Sequence, residues 1–126
     1  MQKNFETKDT GEREKFKTGA QRDRRVGKGR YDLLSTTAIH RWAQLMERGA
    51  IKYDANNWRK GMPLGRFLDS ALRHLFQTLS NDISEDHPAA VMFNISAYME
   101  TKERIENGEL SAELDDLGHT SKGKKI

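Results

Sequence analysis

Cysteine is missing from all 126 residues. That excludes a disulfide framework, a thiolate zinc site and a cysteine nucleophile. No apolar run approaches the roughly 20 residues a membrane span needs. Residues 1–30 hold no apolar stretch of the signal-peptide kind. A soluble intracellular protein is the expectation. Zincin HExxH, Walker A, GxGxxG and nucleophile-elbow patterns are absent too, and so are internal repeats. No alternating polar–apolar strand pattern occurs, so the class is all-α.

Apolar residues make up 35% of the chain and charged residues 33%. This is lean, and the leanness is uneven, with polar ends around an apolar middle. The expected folded unit is about 75–80 residues, near the size where a single core becomes marginal. Oligomerisation, as a dimer or higher, is the natural remedy. The net charge of +3 suits a phosphate-bearing partner, although a Lys-rich tail alone produces the same balance. Nucleic acid is not the expected partner.

Three helices are legible. The first starts at Ser35 or Thr36, either of which can cap it. Ile39, Trp42, Ala43, Met46, Ala50 and Tyr53 then form one stripe at about 100° per residue. Glu47 falls at the edge of that stripe. Residues 54–63 read as a loop, with Asn56, Asn57, Gly61 and Pro63. Trp58 in this loop either plugs the core or stacks on a ligand. The second helix spans about Leu64 to Leu79, with an apolar face of Phe67, Leu68, Ala71, Leu75, Thr78 and Leu79 and with His74 at its margin. Ser84 is the expected cap of the third helix, and Glu85, Asp86, His87 and Pro88 make its first turn. That helix is apolar nearly all round and therefore central. It carries Asn94, which must find hydrogen bonds if buried, and it stops at Glu106-Asn107-Gly108.

The expected architecture is a compact bundle of three to four helices with an extended N-terminal arm and a polar C-terminal tail. Residues 1–17 read as a disordered tail. Residues 18–106 read as one domain with the arm at 18–34. Residues 107–126 read as a polar tail, in which Leu110, Leu114 and Leu117 can form a short helix.

The chemistry concentrates in residues 47–94. Glu47, His74, Asp86, His87 and Asn94 border apolar faces of three helices. Facing acids and histidines in a helix bundle can hold a divalent metal. A carboxylate there can alternatively cap a helix, and a histidine can pack in the core. Lys52, Arg59, Arg66 and Arg73 are available to phosphates. Tyr53 or Trp58 can stack on a base, and Asn57 or Asn94 can read its edge.

One family joins these pieces. Thr18-Gly19-Ala20, Arg22-Asp23 and Gly27 to Leu33 come first. Glu47-Arg48-Gly49-Ala50, Lys52-Tyr53, Asn57-Trp58 and Lys60-Gly61 follow. Ser70 to His74, Glu85-Asp86-His87 and Asn94 complete the series. In this order they resemble the phage-borne dATP/dGTP diphosphohydrolases, N-terminal domain type, which are grouped with the all-α MazG-like NTP pyrophosphohydrolases. The resemblance covers roughly residues 16–100. It implies a metal-dependent hydrolase of purine deoxynucleoside triphosphates in the host cytoplasm, with Mg²⁺ or Mn²⁺. Mapped onto this chain, Glu47, His74, Asp86 and His87 would hold the metal, and Glu47 and Glu85 would be catalytic. Lys28, Arg30, Lys52 and Arg73 would hold phosphates. Tyr53, Asn57, Trp58 and Asn94 would contact the base. The chain has no EExxE segment, and where an ExxD segment would be expected it carries Glu85-Asp86-His87 followed by Asn94, so that histidines stand where such relatives carry acids. Two further readings follow from that departure: a non-catalytic protein that sequesters nucleotide, and a structural helical interaction protein.

Overall fold

The structure is a computed structural model that describes residues 5–120. Two compact units divide between Leu34 and Ser35. The second unit is helical, as the composition predicts, and only one small two-stranded sheet accompanies the helices among the described residues.

That sheet lies in the first unit. Strand β1 (Arg13–Lys15) pairs antiparallel with β2 (Gln21–Asp23). The register sets Arg13 opposite Asp23 and Glu14 opposite Arg22. Opposite charges facing across strands favour the pairing. Asp23 also accepts from the Thr10 amide at 3.1 Å and from Lys28 Nζ at 2.7 Å. The hairpin is written in charge, which is why an apolar-alternation reading passes over it. β1 falls within the stretch expected to be disordered.

In the second unit, α1 spans Thr36–Lys52, α2 Leu64–Leu79 and α3 His87–Glu106. The Ser35 hydroxyl caps α1 by accepting from the Ala38 amide at 3.1 Å. The cap of α3 is Asp86, which accepts from the Ala89 amide at 3.3 Å. Ser84, expected in that role, instead donates its amide to Asp82 at 2.8 Å. The turn it closes delays the helix start.

Helix α3 is central, with seven buried residues, and α2 packs along it. The buried side of α2 is Leu64, Phe67, Ala71 and His74. This face is rotated from the expected one: Leu75 is 53% exposed and Leu79 81%. His74 takes the inward position because a partner waits for it on α3. Helix α1 buries no residue fully and leans on α3.

Two clips hold the connecting segments. Arg104 of α3 donates from Nη1 to the Arg59 carbonyl at 2.7 Å. Arg59 in turn donates to Glu100 at 2.8 Å. These bonds fix the 3-10 turn Asn57–Lys60, which carries Trp58. After α3, the chain folds back through the 3-10 turn Ala112–Leu114. Asp116 there accepts from the Gly65 amide at 2.8 Å and supplies the cap that Pro63 cannot. The Lys-rich end at 121–126, expected as a tail, lies outside the described residues.

Gly61 sits at φ 107°, and a Cβ there would lie 2.9 Å from Leu114 Cδ1. Both the backbone and the packing require glycine. Gly61→Ala is expected to destabilise the helical unit by about 1 kcal/mol or more, read as a lower midpoint in urea with an unchanged slope.

Candidate functional site

A cleft of about 840 Å³ opens beside the α1–α2 connection. Helix α1 contributes Arg48, Gly49, Ala50 and its terminal Tyr53. The loop and its 3-10 turn add Asp54, Asn57 and Trp58. Ser70 and His74 come from α2, and Phe93 and Asn94 from α3. The turn before α3 closes one side with Ser84, Glu85 and Asp86. The size is that of a small-molecule site.

All four expected base contacts line this cleft. Trp58 is half-buried, packs edge-on against Phe93 with ring centroids 6.1 Å apart, and carries the Arg59 guanidinium 4.5 Å from its ring. It therefore both packs and borders the opening. Asn94 is buried and donates from Nδ2 to the Ala90 carbonyl at 2.8 Å. Tyr53 is exposed, with Lys52 Nζ 5.1 Å from its ring.

The expected metal ligands are dispersed. His74, Asp86 and also Glu85 border the cleft, while Glu47 is exposed and neither it nor His87 lines it. His87 is fully buried, and its Nδ1 lies 2.8 Å from His74 Nδ1. Asp86 is held by Arg41, whose Nε donates to it at 2.8 Å. The Arg41 guanidinium keeps the Asp86 carboxyl below its ordinary range. No group of three His, Asp or Glu side chains that could hold a metal ion occurs among the described residues.

None of the four expected phosphate ligands is among the residues that line the cleft. Lys28 and Arg30 belong to the first unit, where they pair with Asp23 and Asp32. Lys52 and Arg73 are exposed and do not line the cleft.

Residues 18–110 match the family model described as dATP/dGTP diphosphohydrolase, N-terminal. The chain belongs to this family. No curated protein and no solved structure gives a match.

Three residues in or near the cleft were given no role by the sequence reading. Arg48 lines the cleft and makes no ion pair among the described residues. Its signal was the small pair that follows it, Gly49-Ala50, which leaves room beside the helix. A Cβ on Gly49 would meet nothing within 4 Å. Asp82, which His87 Nε2 approaches at 3.2 Å, and Arg41 carry no local signal, because their partners are distant helices or the far side of a turn.

Burial, followed by the nearby Arg73 and His87, lowers the His74 pKa below its ordinary 6.5, with Glu85 opposing. The folded chain therefore resists protonation there more than the unfolded chain does. Stability is expected to fall as pH drops through about 6.5, and His74→Gln should flatten that slope in thermal melts. At Asp86 the cap and the charge can be separated. Asp86→Ala is expected to cost about 1 kcal/mol, whereas Asp86→Asn keeps the cap and most of the stability in the same melts.

Proposed function

We propose that the cleft binds a purine deoxynucleoside triphosphate and that the chain hydrolyses it to the monophosphate and pyrophosphate. One observation carries this reading. In a chain of this family, Tyr53, Asn57, Trp58 and Asn94 share one cleft with Arg48, Glu85 and Asp86. Aromatic rings and amides suit a base. A guanidinium suits phosphate, because its fork can bond two oxygens at once.

In this scheme Trp58 and Tyr53 form the wall against which the base lies. Asn57 and Asn94 meet the edge of the base. Arg48 draws the phosphates towards α1. Glu85 is exposed at the turn and holds the attacking water. That water gives its proton to Glu85 and adds to the α-phosphorus as the bond to the bridging oxygen breaks, and pyrophosphate leaves. A divalent cation arriving with the triphosphate needs only one or two protein carboxylates, and Glu85 and Asp86 are the pair that borders the cleft. When bound, such an ion would neutralise phosphate charge.

A second reading, sequestration without hydrolysis, is supported by the lack of an EExxE segment in the sequence. Incubation of the chain with dATP or dGTP and Mg²⁺ or Mn²⁺ separates the two. Pyrophosphate release supports the enzyme, and tight binding without release supports sequestration. Arg48→Ala is expected to weaken dATP binding about tenfold or more. Glu85→Gln is expected to remove turnover while sparing binding. Full turnover in both variants would sink the assignment.

A further inference from the structure

The mechanism above leaves a chain of three side chains unused. Asp82 lies on the turn after α2, His87 at the start of α3 and His74 on α2. Asp82 Oδ1 is 3.2 Å from His87 Nε2, and His87 Nδ1 is 2.8 Å from His74 Nδ1. His87 is fully buried, and His74 is 8% exposed.

Counting protons fixes the roles. The Ser84 hydroxyl and amide, and then His87, hold the Asp82 carboxyl down at about 2. Asp82 is therefore an acceptor only at neutral pH, and His87 Nε2 must bring the hydrogen. When both rings are neutral, each carries one N–H, so His87 Nδ1 is bare. The short contact between the two rings then requires the hydrogen on His74 Nδ1. His74 Nε2 is left with a lone pair.

That nitrogen belongs to a ring that lines the cleft. It has no hydrogen-bond partner among the described residues, and it is not among their sealed, unpartnered polar atoms. His74 lines the cleft, whereas the His87 on its other side does not. Asn94 is in the same condition. Its amide donates to the Ala90 carbonyl, and its Oδ1 is neither partnered nor sealed. Two acceptors thus stand on the inner wall of one cleft.

We propose that Asp82 is a positioning residue which, acting through His87, fixes His74 as a hydrogen-bond acceptor, and that His74 Nε2 with Asn94 Oδ1 selects ligands bearing N–H donors, such as the amino-bearing edge of a purine. The ligand half of this inference rests on the nucleotide reading above. The tautomer half stands on the geometry alone.

The two halves have separate tests. Long-range ¹H–¹⁵N correlation spectra of the labelled full chain at neutral pH report which ring nitrogens carry protons. His74 Nε2 is expected at the shift of a bare nitrogen, and His87 Nε2 at that of an N–H. Asp82→Ala should scramble this pattern and Asp82→Asn should restore it, since an amide oxygen can also accept. Ser84→Ala disturbs the same turn but leaves the carboxylate in place, so it should keep the wild-type pattern. A protonated His74 Nε2 in the wild-type chain, or an unchanged pattern in Asp82→Ala, overturns the tautomer. For the ligand half, Asp82→Ala is expected to weaken dATP binding by roughly five- to tenfold and to leave the binding of inorganic triphosphate, which has no base, unchanged. Equal losses for both ligands overturn the selective role. If the wild-type chain binds no nucleotide, the nucleotide reading and the ligand half fall together, and the spectra still decide the tautomer.

Discussion

Two imidazoles meet in the interior, and much of the helical unit is arranged around that contact. A buried polar ring without a partner costs a few kcal/mol. His74 and His87 meet this requirement for each other, and Asp82 meets it for the remaining ring nitrogen of His87. The contact sets the rotation of α2 against α3. It carries His74 inward and leaves Leu75 and Leu79 outside. It also ties the turn between the two helices to their packing, and that turn delivers Glu85 and Asp86 to the cleft.

The rest of the unit has little core to rely on. Leu64, Phe67 and Ile105 are its only large buried apolar side chains among the described residues, and alanines make up the remainder. Small residues let α2 and α3 approach closely. They contribute little burial, because apolar stabilisation scales with area. Long-range polar bonds therefore do much of the orienting: Arg41 on Asp86, Arg104 on the Arg59 carbonyl, and Asp116 on the Gly65 amide. The one ion pair among them, Arg41 with Asp86, is partly exposed and individually weak, and the part of all three bonds is to place elements. Each of them ends on a segment that borders the cleft or on the helix next to it.

The cleft itself is chemically mixed. One side carries rings and amides, another a guanidinium, and the turn before α3 carries carboxylates. That mixture suits a ligand with an aromatic base, a polar edge and anionic phosphates. It also explains why spacing alone was a poor guide to the roles. Asp86 was legible as an acid at a helix start, but the same position serves a cap, an ion pair and the rim of the cleft. Arg73 and Arg48 look alike in the sequence, yet only Arg48 borders the opening.

Local physics wrote the helices. Ser35 before an apolar stripe, Pro63 before Leu64, and Asn107-Gly108 after Glu106 mark the helix boundaries. These signals act within a turn or two of the chain, so they can be read without knowing the fold. The apolar character of α3 likewise placed it at the centre, and the aromatic and amide positions singled out in the α1–α2 connection line the cleft. Tertiary structure decided what no local signal encodes. The hairpin pairs charges that are ten residues apart at its open end. The inward turn of His74 depends on a ring thirteen residues further along the chain. Arg41 and Asp86 are forty-five residues apart. A polar side chain can be satisfied by water, by a neighbouring turn or by a distant helix, and which of these holds is settled only when the helices pack.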